Sequence, residues 1–267
     1  RAMKYENGKI YMGLSDPDRE RDALTKLREQ RVDAMILCGG RVDLMKTDSE
    51  YVQTLQKCAK ACRVVIASIS PSPEMAGVCI DHRQCMELAL EHLFSLGHRK
   101  IGFLYAGMEF IGTDLKMREM QKRIREKGFA FREDWLIHAD NYRMEGGRRA
   151  AEQFLMLKDR PSAMINLNDV LSVGFLQGVA AQGVKVPEEL SLVAFDNSSI
   201  AEVPTPGITS IGYDYNAFAS SLIDCAVGDL AKTPGVNLHI PGTICVRQST
   251  GLAPMQADPK DNAKGTS

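Results

Sequence analysis

No apolar run in the 267 residues approaches the ~20 needed for a membrane-crossing helix. No secretory leader is visible at the start. Excess charge of either sign is missing too. The chain has 33 Lys and Arg against 34 Asp and Glu, a formal net charge of -1, whereas a free-standing DNA binder carries a basic excess. Disorder is excluded, because 44% of residues are apolar and only 25% charged. There is no CxxC pair among the seven cysteines, and seven is odd, so a monomer leaves at least one thiol unpaired. Several cysteines sit inside apolar runs, as Cys38 does, which fits small buried hydrophobes in a reducing cytoplasm better than an exported disulfide framework. Cys79, His82 and Cys85 lie close together, but their spacing is not that of a structural zinc site, so no metal and no cofactor is expected. No GxSxG elbow, GxxxxGK[ST] phosphate loop or GxGxxG turn occurs, and no nucleophile stands beside an activating partner; no enzyme activity is expected. Short-period repeats are absent.

What is present is a rhythm. Apolar runs of four to seven residues alternate with amphipathic stretches. Strands are expected at 9–14, 32–38, 63–69, 99–105, 135–138, 162–167, 190–195, 208–211 and 243–247. Helices are expected at 19–31, 50–62, 81–96, 114–127, 144–157 and 169–182, with Gly97, Gly128 and Gly183 just past three of their ends. Alternation of this kind predicts an α/β fold of two doubly wound parallel-sheet lobes. The reading divides the chain into an N-terminal lobe (1–80), a C-terminal lobe (81–211), crossover segments completing both (212–252) and a loose polar tail (253–267). Pro71-Ser72-Pro73 and a turn-rich segment after it mark the expected passage between lobes.

Ligands of open parallel sheets bind beyond the carboxyl ends of the strands. The residues there include Ser68, Lys116, Tyr142, Asn168, Asp169, Asp196, Tyr213 and Tyr215, a set able to hydrogen-bond a polar molecule and cover it with a ring. Each has a plainer role open to it. Asn168 and Asp169 stand where a helix N-cap belongs. Asp196 fits a turn, and Lys116 fits a solvated helix face. Tyr213 and Tyr215 share one side if the segment is extended, or they pack a lobe.

Four segments resemble the lactose-repressor (LacI) type of transcription regulator. Residues 91–101, Glu-His-Leu-Phe-Ser-Leu-Gly-His-Arg-Lys-Ile, resemble "EHLxxLGHxxI". Asn168-Asp169 with Gly174 resembles "NDxxAxG", with Ser172 in place of the alanine. Residues 186–197 resemble "VPxDxSVxGFDD", and residues 206–211 resemble "PPLTTV". The four occur in matching order and spacing, within a likeness covering about residues 9–251.

The resemblance implies two periplasmic-binding-protein-like lobes joined by a hinge, and a cytoplasmic homodimer. A small-molecule effector, a sugar or other polar metabolite, would lie between the lobes. Operator DNA would be read by an N-terminal head not present in this sequence. It also implies that Lys9–Leu14 matches the family's second strand, so the sequence is expected to be truncated at its start. Among effector contacts, Asn168 and Asp196 match retained polar positions. Tyr142 falls where some members place an aromatic ring, and Tyr213 and Tyr215 where others use glutamine and phenylalanine. Lys116 stands at the family's cleft arginine, with Arg118 two residues on, and Ser68 near an aspartate frequent in sugar binders. Lysine lacks arginine's planar fork and serine lacks a carboxylate's acceptors. Those departures are compatible with a different polar ligand, a partner protein or no ligand. A transporter's solute-binding protein is the alternative with the same architecture, and an α/β enzyme the alternative that fold alone leaves open.

Overall fold

The structure, a computed structural model, describes residues 17–228, 230 and 235–254. The strand expected at Lys9–Leu14 and the tail from Gln256 lie outside the described residues. In chain order the first elements are α1 (Pro17–Glu29), β1 (Ala34–Leu37), α2 (Ser49–Ala59), β2 (Arg63–Ile66), β3 (Ala76–Ile80), α3 (His82–Ser95) and β4 (Ile101–Tyr105). Next come α4 (Ile111–Glu126), β5 (Leu136–His138), α5 (Met144–Met156), β6 (Ala163–Asn166) and α6 (Asp169–Ala181). Last are β7 (Ser191–Phe195), β8 (Thr209–Tyr213), α7 (Tyr215–Val227), β9 (Asn237–Ile240) and β10 (Gly242–Cys245).

These elements form two units. One holds the chain up to Asp81 with Glu109–Ile111 and Asp214–Ile240; the other holds His82–Met108, Gly112–Tyr213 and the chain from Pro241 on. In the first unit four parallel strands run in the order β1-β2-β3-β9. Asp48 starts α2 by accepting from the Tyr51 N–H at 2.7 Å. Tyr51, Leu55 and Cys58 then fall on one helical face and join Leu24, Met35, Val64 and Ile66 in the core. The stretch after Pro73 is not all turn: it carries β3, buried almost throughout.

The second unit has six strands in the order β10-β8-β7-β6-β4-β5, all parallel except the β10–β8 pair. Three helices end as the glycines predict. At Gly97, φ is 90°, and the His98 N–H reaches back to the Leu93 carbonyl at 3.0 Å, closing a Schellman turn. Helices α5 and α6 meet through glycine. A Cβ on Gly174 would overlap the Met144 backbone, and one on Gly147 would overlap the Leu171 carbonyl. The glycine of the Asn-Asp motif therefore exists for close helix packing.

His98 is fully buried in this unit. Its Nδ1 lies 2.8 Å from Ser162 Oγ, and its Nε2 3.0 Å from Ser191 Oγ and 3.1 Å from the Gly251 carbonyl. The Gly-His pair of the 91–101 segment thus ties the start of β4 to the starts of β6 and β7 and to the C-terminal segment.

Tyr213 and Tyr215 do not share an extended face. Tyr213 ends β8, Tyr215 begins α7, and Asp214 between them caps α7 by accepting from Asn216 and Ala217 N–H, both at 2.9 Å. The two tyrosines belong to different units.

Candidate functional site

At the carboxyl edge of the six-stranded sheet, successive strands deliver polar side chains from consecutive loops and helix starts. Lys116 stands on α4 after β4, Tyr142 between β5 and α5, Asn168 between β6 and α6, Asp196 after β7, and Tyr213 at the end of β8. All five lie in the second unit. Ser68 lies in the first unit, after β2; it is buried and its side chain hydrogen-bonds Asp43, a carboxyl that burial pushes upward.

Lys116 is not a solvated helix lysine. Only 8% of it is exposed. Its Nζ lies 3.1 Å from His82 Nδ1 and 4.8 Å from the centre of the Phe195 ring. Among the described residues no carboxylate oxygen reaches ion-pair distance of this ammonium. Burial pushes its pKa below the lysine range, while the charges of Cys85 and Asp196 pull it back up.

Asn168, not Asp169, is the cap of α6. Asn168 Oδ1 accepts from the Leu171 N–H at 2.7 Å, and its Nδ2 points to the Tyr142 carbonyl at 3.5 Å. One lone pair of its oxygen serves the helix, which leaves Asn168 an amide N–H and a second lone pair to meet a ligand. Asp169 is fully buried and builds the turn that carries Asp196. Its Oδ2 accepts from the Ser198 N–H at 2.6 Å and the Ser198 hydroxyl at 2.8 Å, and its Oδ1 from the Ser210 hydroxyl at 2.7 Å. Ser210 Oγ accepts in turn from the Asn197 N–H at 2.9 Å. Arg247 braces the turn from the other side, donating to Asn197 Oδ1 at 2.8 Å.

That bracing holds two residues in the left-handed region, Asp196 at φ 98° and Asn197 at φ 48°. Asp196 keeps an exposed surface, yet protein crowds it. Desolvation, then the like charge of Asp169, pushes its pKa up to about 6 against the pull of Lys116. A carboxyl held there and an ammonium held low are poised to exchange hydrogen bonds with a polar guest. Tyr142, 41% exposed, and half-buried Tyr213 supply rings and hydroxyls at the same edge.

Two residues of this edge escaped the sequence reading, whereas Asn166 stood among the polar residues expected beyond the strand ends. His82 lies 34 positions before Lys116, so no local spacing links them. Phe195 was hidden as the last apolar residue of a strand. Asn166, fully buried at the end of β6, has no partner for either amide atom among the described residues. A cavity of about 740 Å³ lies at the opposite edge of the sheet, beside Arg99, Arg160 and Leu190. It includes none of these residues, and the chemistry of parallel sheets sits at the carboxyl edge. Cys79 is on β3 in one unit, whereas His82 and Cys85 are on α3 in the other. No group of metal-binding side chains occurs among the described residues.

Residues 90–250 match the periplasmic binding protein-like domain family. The chain belongs to that family. Its relatives are LacI-type transcription regulators, and the chain is a LacI-type regulatory core. It is 27% identical over 237 residues to catabolite control protein A of Priestia megaterium, covering 87% of this chain and 69% of that protein. It is 26% identical over 193 residues to the HTH-type transcriptional repressor PurR of Photobacterium profundum, covering 72% of this chain and 56% of that one. The match to PurR thus spans little more than half of its length. A LacI transcriptional regulator from a Rhodococcus species superposes with a TM-score of 0.76 at 24% identity, covering 90% of this chain and 86% of that structure. The transcription regulator CcpA of Lactococcus lactis gives 0.76 at 22%, covering 88% and 84%. These relatives do not favour the transporter alternative. Among the described residues no helix is long and apolar enough to cross a membrane.

Proposed function

We propose that this chain senses a small polar metabolite at the carboxyl edge of its six-stranded sheet and passes the result to operator DNA as part of a cytoplasmic, homodimeric regulator. The single observation that carries the ligand reading is Lys116, a buried ammonium with spare donors, no ion-pair partner among the described residues, and an acceptor, Asp196, beyond it. A buried charge left unpaired is unfavourable by several kcal/mol, roughly, so a guest that supplies acceptors there is bound strongly for its size. The Asn168 amide N–H would donate to the same guest, Asp196 would accept from it, and Tyr142 and Tyr213 would flank it. DNA control enters through the relatives, which are named as transcription regulators. Such a ligand can act as a signal only by binding one conformation better than another.

The test is a thermal-shift screen of the 267-residue chain against sugars, sugar acids, nucleobases and amino-acid derivatives, with hits confirmed by calorimetry. The proposal expects at least one hit that Lys116→Met and Asp196→Asn each abolish. A screen with no hit, or hits indifferent to both substitutions, overturns it.

A further inference from the structure

His82 opens α3 and places Nδ1 3.1 Å from Lys116 Nζ. Two protonated nitrogens cannot make that hydrogen bond. The ammonium donates, so Nδ1 accepts and the proton of the neutral ring sits on Nε2. The first turn of α4 closes on the ring from the other side: a Cβ on Gly112 would stand 2.8 Å from Nε2. The imidazole is therefore packed between the Lys116 ammonium and the first turn of α4.

We propose that His82 is the positioning residue of Lys116 and tunes this site toward ligands that carry an acidic group, a carboxylate or a phosphate. The inference rests on the ligand reading above and deepens it. With His82 neutral, one Lys116 donor is held by Nδ1 and the ammonium is oriented across the Phe195 ring. When His82 takes a proton, Nδ1 becomes a second donor and the shared hydrogen bond is lost. Two cationic nitrogens then stand side by side, and an oxyanion bridging both relieves their repulsion. Binding of an acidic ligand is thus coupled to uptake of a proton. A neutral polyol gains nothing from that proton.

Other charged groups face this pair. Cys85 lies on the same helix as His82, and Asp196 approaches from the end of β7 with Asp169 behind it. On α4 itself, Asp114 is engaged by Arg118 at 2.9 Å, and Glu119 by Lys122 at 3.2 Å and by Arg83 at 3.7 Å. Asp196, whose carboxyl is pushed up to about 6, acts in the same direction, since its protonation removes a competing negative charge. The experiment must separate the two.

Inorganic sulfate is the probe, because it keeps its charge across the range. Its affinity for the 267-residue chain is measured by calorimetry at about pH 6 and about pH 8, at constant ionic strength. One linked proton makes the unaltered chain bind sulfate roughly tenfold more tightly at the lower pH. His82→Gln still accepts from Lys116 but takes up no proton, and its affinity should change less than about threefold. Lys116→Met should not bind. The ring-nitrogen NMR spectrum of the unaltered chain gives a second reading independent of variant folding: sulfate should move His82 from its neutral to its protonated form. No sulfate binding, equal binding at both pH values, or a His82→Gln variant with wild-type pH dependence overturns the proposal. A neutral metabolite still bound in a Lys116-dependent way would leave the ligand reading standing while this inference falls.

Discussion

Asp169 Oδ2 accepts two hydrogen bonds from Ser198, one from its N–H at 2.6 Å and one from its hydroxyl at 2.8 Å. A third, from Ser210 at 2.7 Å, reaches the other oxygen. Together they fix the turn that presents Asp196. Asp169→Ala should therefore destabilise the chain by about 2–4 kcal/mol, because buried donors lose a shared acceptor. Ligand binding should be lost with it. Asp169→Asn keeps an acceptor and should cost less. Denaturant unfolding of the three proteins checks the order.

The pH dependence of stability carries two opposed contributions. Burial pushes the His98 imidazole below the ordinary histidine range; the Gly251 hydrogen bond opposes this, and the charges of His92 and Arg99 add to it. The folded chain then binds this proton more weakly than the unfolded chain does. Its contribution is present above a pH of about 6.5 and is lost as pH falls below that value. Melting temperature should drop between about pH 7 and pH 5.5, and His98→Gln should flatten that drop while lowering stability throughout.

Asp196 runs the other way. Its pKa is raised to about 6, so the folded chain holds its proton more tightly than the unfolded chain does. That stabilisation is present below the ordinary carboxylate pKa of about 3.9 and is lost as pH rises through 6. Asp196→Asn should raise the melting temperature at about pH 7.5 and leave it unchanged near pH 4, while weakening ligand binding. Equal shifts at both pH values would count against the raised pKa.

Asn166 offers a sharper packing test. Both its amide atoms are buried without a partner among the described residues. Asn166→Leu should stabilise the chain by about 1 kcal/mol, since unsatisfied polar atoms are replaced by apolar ones of similar size. A loss of stability would mean that a water or ligand holds the amide.

The close approach of α5 and α6 predicts that Gly174→Ala destabilises by about 2 kcal/mol or more, since its Cβ meets Met144 backbone instead of a movable side chain. Thermal unfolding of the variant measures this directly.

These residues also show where sequence reading succeeds. Strands β4, β6 and β7 are buried apolar runs bounded by polar turns, and helix ends at Gly97, Gly128 and Gly183 carry their own backbone signal. Short-range physics was enough for them. Strand β3 was masked by the turn chemistry of Pro71-Ser72-Pro73 just before it. Helix α7 was missed although Asp214 is a good cap, because two tyrosines around it fit an extended pattern. At the site, positions were legible but environments were not. Lys116 looks like any helix lysine until the fold brings His82 and Phe195 against it. Asp169 looks like a cap until Ser198 and Ser210 close on it.

The most direct measurement is chemical-shift mapping of the 267-residue chain with the strongest metabolite from the screen. The account predicts perturbations concentrated at Lys116, Tyr142, Asn168, the 196–198 turn and Tyr213. Shifts gathered instead around Arg99, Arg160 and Leu190, or scattered with no focus, would contradict it.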